Sequence, residues 1–453
     1  MGECLEQFWQ YYGQKARTQT RDTRQYGLAY LSGLLRMESD RSMAEVGRKT
    51  GVSEQNMQHF MSQSPWSARA MIEQMQSEVM NRQELMGGML ILDESADAKS
   101  GKVSAGSGRQ HNGRLGKVDV CQVGVFLTYA KDGIWTWIDG ELFLPEKWLS
   151  DAYAARREKV GIPPQRTFQT KIELGWQMIE RAQAMGLPFE AVAFDSLYGR
   201  NTQLRTQCQA NGIEYYADVP CNQQVYLTLP ELVYPITKHS RPSKYPQVVG
   251  QDPVTVESIA NDRQTDWQSL VIRPSERGML EAEFARHLIW TVDKDGTIRE
   301  ETLLLRRDPK KVTYSLTNAP TDTPLLTLAQ RKTQRYFVER SIQDAKSELG
   351  WDEFQAIKYR AWQHQLALTL LASWFIAETR LDWRAEHPQD PTLSQDYETD
   401  VLPSLSMANV RQLLRATLPL PQLSTEQAAL LIVKHLDNRT RSRRSRLKNH
   451  SGP

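Results

Sequence analysis

The sequence predicts an α/β fold, a mixed sheet preceded by a helical region and interrupted late by a β-rich segment, on three observations. Apolar residues recur at helical spacing through residue 85, and at Met86-Gly87-Gly88 the pattern changes to short apolar runs. Two longer runs joined by the turn Lys131-Asp132-Gly133 then read as antiparallel strands, and strand–helix alternation follows. Beyond Val219, proline-rich loops and short strands take over until helical periodicity returns near Leu325.

The elements follow in order. In residues 1–85, Tyr26, Tyr30 and Leu34 recur every four residues, and Leu31 and Leu35 widen the same face. Residues 43–62 fit a helix-turn-helix. Ala44 and Val46 lie in the first helix, Gly51-Val52 supply the turn, and Ser53 caps a second helix that carries Met57, Phe60 and Met61 inward. Its outward residues Gln55, Asn56, Gln58 and His59 are of the types that read base edges.

In residues 86–218, Met89-Leu90-Ile91-Leu92 is a buried strand ending at Asp93. Strands at 118–129 and 134–143, a helix at 170–185, a strand at 189–194 ending at Asp195, a helix at about 200–211 and a strand at 214–218 complete the run. The order β-β-β-α-β-α-β, antiparallel first and parallel after, is the ribonuclease-H-like arrangement. Residues 219–324 read as a β-rich insertion, with a hairpin around Asp295-Gly296, and 325–385 as the core's last helices, running 325–349 and 359–380. A C-terminal helical region, 386–453, ends in a basic tail carrying Arg439, Arg441, Arg443, Arg444, Arg446 and Lys448, suited to phosphate contact.

Composition excludes several classes. With 40% hydrophobic and 24% charged residues the chain is not predominantly disordered. No apolar run approaches the roughly 20 residues of a membrane span, and Met1 to Tyr12 lacks a signal-peptide pattern, so an intracellular protein is expected. Cys4, Cys121, Cys208 and Cys221 form no Cys-x-x-Cys pair, which argues for reduced thiols and against structural zinc. A net charge of +2 does not by itself indicate a polyanion partner.

The chemistry-bearing pattern is carboxylates at strand ends. Asp93 and Asp195 each follow a buried strand, where side chains project into the crevice beyond the sheet. Arg335, Glu339, Ile342 and Lys346 fall at i, i+4, i+7 and i+11 on one helix face. Clustered carboxylates suit a pair of divalent metals roughly 3.5–4 Å apart, the arrangement that activates one oxygen and stabilises another in phosphodiester transfer. A solvent-facing salt-bridge stripe explains the helix spacing equally.

Residues 92–106, LDESADAKSGKVSAG, and 108–117, GRQHNGRLGK, resemble the first-Asp block of DDE-type insertion-sequence transposases, closest to those with a ribonuclease-H-like core and β-insertion. Residues 194–200, FDSLYGR, resemble the second-Asp block, and Arg335, Glu339 and Lys346 match the last three residues of a Tyr-Arg-Glu-Lys signature. The resemblance spans about residues 26–375. It implies a catalytic, metal-binding triad of Asp93, Asp195 and Glu339, acting on double-stranded DNA with Mg²⁺ or Mn²⁺. Arg335 and Lys346 would lie on phosphates near the cleaved bond. The signature tyrosine position is Lys332 here, and Tyr336 is out of register, so the tyrosine's role is not carried over. A homodimer on DNA, joining two ends, and a cytoplasmic, nucleoid-associated location follow from the same resemblance.

Two further features read as DNA contacts. Lys99, Lys102, Arg109, Arg114 and Lys117 interleave with glycines after Asp93, a loop texture that lets backbone and cations approach a polyanion. Trp267 and Trp290 in the insertion are candidates to stack on an unpaired base, with core packing the plainer explanation. Two other functions fit the pattern: a transposase-derived sequence-specific DNA-binding protein, and a ribonuclease-H-like nuclease without strand transfer.

Overall fold

A computed structural model describes residues 2–386 except 100, 102, 114–115, 237–242, 276–277 and 310, then 405–418 and scattered positions from 420 to 444. Most of the basic tail, Arg439, Arg443, Arg446 and Lys448 included, lies outside the described residues.

The chain opens with helices α1 (Gly2–Gly13), α2 (Arg24–Arg36), α3 (Met43–Thr50), α4 (Glu54–Ser62) and α5 (Ala68–Asn81). Serines start the last three. Ser42, Ser53 and Ser67 each accept from the backbone N–H three residues on, at 3.2, 3.3 and 3.1 Å. Gly51, at φ +76°, stops α3 and turns the chain into α4, which buries Met57, Phe60 and Met61 as anticipated.

The sheet strands are β1 (Gly88–Ala98), β2 (Gly108–Asn112), β3 (Lys117–Lys131) and β4 (Ile134–Phe143). After helices α6 (Ala154–Val160) and α7 (Lys171–Ala184) come β5 (Phe189–Phe194), α8 (Ser196–Gly199), α9 (Thr202–Ala210) and β6 (Glu214–Val219). β1 runs antiparallel to β3 and parallel to β5, and β5 runs parallel to β6, which is the ribonuclease-H-like order. One expectation is corrected. β1 does not end at Asp93 but continues to Ala98, because β3 is long enough to keep pairing it through Ala98↔Cys121 after β5 has stopped.

The insertion is continuous with the sheet. Short pieces β7 (Gln224–Val225), β8 (Glu231–Val233), β9 (Gln247–Val249), β10 (Val254–Thr255) and α10 (Val256–Ala260) lead into β11 (Gln268–Ser275), β12 (Gly278–Val292), β13 (Ile298–Asp308) and β14 (Lys311–Thr317). β14 pairs β6, so β11 to β14 extend the central sheet to ten strands. A buried ion pair, Arg205 Nε to Glu301 at 3.1 Å, fastens α9 to β13, and Tyr215 donates to Glu301 at 2.6 Å.

Helices α11 (Leu325–Thr333), α12 (Tyr336–Ser347), α13 (Tyr359–Glu386) and α14 (Met407–Thr417) follow. The single helix anticipated at 325–349 is two. Around Gln334 and Arg335 the backbone bonds are i→i+3, a tighter turn that re-aims α12. α13 is apolar on nearly every side and buried from Trp362 to Ala377, apart from half-buried Gln363, because the N-terminal helices wrap it and β4 lies under it. The His364 ring lies 2.9 Å from the Met61 carbonyl oxygen and 3.0 Å from that of Trp66, and stacks on Trp66. One apolar core therefore joins Trp9, Tyr30 and Phe60 to Leu92 and Trp137 in the sheet and Trp374 in α13, across the boundary expected at residue 85. No described helix is long and apolar enough to cross a membrane.

One close approach positions the second aspartate. α8 lies so near β6 that a Cβ on Gly199 would stand 2.0 Å from the Asp218 carbonyl oxygen, a backbone atom that cannot yield cheaply. Gly199→Ala is expected to lower stability by about 1–3 kcal/mol in urea denaturation. Gly113→Ala, with nothing among the described residues within 4 Å of the added Cβ, is expected to change it by less than about 0.5 kcal/mol.

Candidate active site

The site begins with a register. Leu92 of β1 stands opposite Phe194 of β5, and the next residue on each chain is an aspartate. Parallel pairing thus delivers Asp93 and Asp195 together. β5 ends there because Asp195 turns the chain into α8, its Oδ1 accepting from the Leu197 and Tyr198 N–H groups at 2.9 and 3.4 Å. Asp93 Oδ1 accepts from the Glu94 N–H at 2.7 Å.

Both aspartates border a cavity of about 890 Å³, whose lining also includes Glu94, His111, Lys171, Glu339, Gln343 and Lys346. Glu339, Ile342, Gln343, Lys346 and Ser347 all face it, so one side of α12 forms a wall. Three carboxylates far apart in the chain, Asp93, Asp195 and Glu339, border one space.

Burial, together with the charges of Asp195 and Glu94, pushes the Asp93 carboxyl up to about 7. Asp195 moves the same way, first from burial and then from the charge of Glu94. Arg335 opposes both shifts from a distance. Its nearer partners are Asp218, at 2.9 Å from Nε, and Glu339, at 2.8 Å. Asp218 also pairs with Lys332 and accepts from Ser315 at 2.6 Å. Burial alone would raise the Asp218 carboxyl, and Lys332 and Arg335 overcome that and hold it below the ordinary range. Lys332, at the signature tyrosine position, is therefore a buried counter-ion and does not line the cavity.

The other anticipated residues divide. Lys346 lines the cavity, but its ammonium pairs with Asp97 at 2.8 Å and donates to the Ala96 carbonyl at 3.1 Å. Lys99 donates to the Phe354 carbonyl at 2.7 Å, so packing has absorbed its charge. The glycine-rich stretch is less open than its texture implies. Ser104 to Gly108 are buried, with the Ala105 N–H donating to Ile357 and the Gln122 amide donating to Ala105. Arg109 and Lys117 are exposed, while Lys102 and Arg114 lie outside the described residues. Gln55, Asn56, Gln58 and His59 are exposed on α4. Trp267 carries the Arg307 guanidinium on its ring at 4.3 Å and packs on the insertion's core. Trp290 pairs through its backbone with Tyr226, and neither tryptophan lines the cavity.

Sequence reasoning passed over Glu94, Lys171 and Asp218. Each had a faint signal: Glu94 sits beside the first aspartate, Lys171 opens a helix with a capping box, and Asp218 closes a parallel strand. Among the described residues no three His, Cys, Asp or Glu side chains stand close enough, as placed, to hold a metal ion, and Glu339 is engaged by Arg335.

Comparison with known proteins follows the same lines. Residues 11–278 match a family model described as DDE superfamily endonuclease, a span that holds Asp93 and Asp195 and stops short of Glu339. The chain is also 23% identical over 328 residues to the probable transposase for insertion sequence element IS701 of Microchaete diplosiphon, covering 70% of this chain and 73% of that protein. With the family match extending over more than half of its length, the chain belongs to the DDE superfamily endonucleases.

Proposed function

We propose that the chain is a DNA transposase that binds the ends of its insertion element, cuts there with divalent cations held by Asp93, Asp195 and Glu339, and joins the freed 3′-OH to target DNA. The observation that carries this reading is the shared cavity bordered by all three carboxylates. The likeness to a probable insertion-sequence transposase supports DNA as the substrate.

The residues fit a divalent cation. The donors are all carboxylate oxygens, the ligands that hard cations such as Mg²⁺ and Mn²⁺ take. Burial first and neighbouring carboxylate charge second raise the Asp93 and Asp195 carboxyls, and a bound cation would favour their charged form. When bound, the cations activate the attacking oxygen and stabilise the leaving one. The protein's part is placement. The β1–β5 register and the α8 turn hold the two aspartates, and α12 brings Glu339, which must leave Arg335 to join them. Arg335, still held by Asp218, then has a guanidinium edge free for a phosphate oxygen. Gln55, Asn56 and Gln58, exposed on α4, would read base edges, and the exposed Arg109 and Lys117 would meet phosphates. A dimer on DNA would bring two ends together.

A pH prediction follows from Asp93. Its carboxyl is near 3.9 in the unfolded chain and about 7 when folded. The stability it contributes is therefore fully present below pH 4 and lost as pH rises through 7. Without divalent metal, Asp93→Asn is expected to melt above the wild type at pH 8 and no higher at pH 4. Equal melting temperatures at pH 8 would contradict this.

The activity test uses a plasmid carrying the DNA that flanks this coding region, with Mg²⁺ or Mn²⁺. Wild type is expected to cut at the ends and yield joined products. Asp93→Ala, Asp195→Ala and Glu339→Ala are each expected to lose at least about a hundredfold in rate, since even outer partners of metal ligands are worth 10–100-fold. Any of the three retaining full activity refutes the triad. Nicks without joined products would identify a nuclease lacking strand transfer.

A further inference from the structure

We propose that Lys171 is a DNA phosphate contact of this site and that Glu94 is the counter-ion it leaves when DNA enters, an inference that rests on the cavity being the DNA-cleaving site. Two lysines line the cavity among the described residues, and they are differently held. Lys346 is 13% exposed and paired with an Asp97 that is 5% exposed. Trp351 donates to the same carboxylate at 2.6 Å. That lysine ties α12 to β1 and is not free to move to a ligand.

Lys171 is looser. Its ammonium meets Glu94 Oε1 at 2.8 Å, with each side chain about a quarter exposed. The other Glu94 oxygen is buried, and the hydroxyl of Tyr198, a fully buried side chain, is set against Glu94. Tyr198 thus gives Glu94 a second partner besides Lys171. When Lys171 swings to a phosphate, Tyr198 remains to donate to Glu94.

The position suits a phosphate for a second reason. Lys171 is the first residue of α7, a 14-residue helix, whose N-terminal dipole favours an anion. α7 packs on Leu92 of β1, and α12 packs in a cluster with Met89 and Ile91, which alternate with Leu92 along the strand. Both helices carry cavity-lining side chains, so a DNA strand lying over Asp93 and Asp195 would meet Lys171 from the α7 side.

The test is binding of a fluorescent 30-base-pair duplex by the full chain, without divalent metal, across a salt series. Lys171→Met is expected to weaken binding about threefold to tenfold and to reduce the log–log salt slope by about 0.9, the loss of one phosphate contact. Lys171→Arg is expected to keep both. Glu94→Gln is expected to tighten binding, and by less when Lys171 is already Met. Unchanged affinity and slope in Lys171→Met, or an equal Glu94→Gln effect in both backgrounds, overturns the proposal while leaving the transposase reading intact. A wild type that binds no duplex overturns both.

Discussion

Two carboxylates that repel one another stand side by side because β1 and β5 run parallel in a register that leaves each chain's next residue an aspartate. Burial raises both groups, Asp195 and Glu94 add to the rise of Asp93, which is pushed to about 7, and Glu94 adds to that of Asp195. The fold imposes the arrangement through packing elsewhere: the close seat of Gly199 on β6, the N-cap bonds of Asp195, and the long β1–β3 ladder. Charge crowding of this kind is what the proposed cation site would cost the protein without its cation.

The third carboxylate depends on a different set of contacts. α12 is set by the tight turn at Gln334 and Arg335 and by the Lys346–Asp97 pair, which links its last turn to β1. Below the turn, Asp218 gathers Lys332, Arg335 and Ser315. Arg335 thus divides its guanidinium between a structural carboxylate and the proposed ligand Glu339. The same residue can restrain Glu339 without a metal and offer charge to a phosphate when Glu339 departs.

Much of this was legible in the sequence, for identifiable reasons. Ser53 and Gly51 announced the helix-turn-helix through cap and turn chemistry, and the apolar runs announced β1, β3, β4, β5 and β6 through period and length. Asp93 and Asp195 stood out because each interrupts an apolar run. What was not legible depends on partners distant in the chain. The continuation of β1 to Ala98 requires β3, whose reach no local pattern near Asp97 reveals. The joining of the insertion to the central sheet rests on β14 meeting β6. Lys99 and Lys346 read as free cations because charge is visible in sequence and the carbonyl of Phe354 or the carboxylate of Asp97 that engages them is not. The helix break at Arg335 falls among good helix formers and has no proline or glycine to signal it.

The central claim is that Glu339 joins the two aspartates around divalent cations. Anomalous diffraction from crystals grown with Mn²⁺ and DNA measures it most directly. The account predicts manganese peaks within coordination distance of Asp93, Asp195 and Glu339, with the Arg335–Glu339 pair broken. Peaks on the aspartates alone, with Glu339 still bound to Arg335, would contradict it.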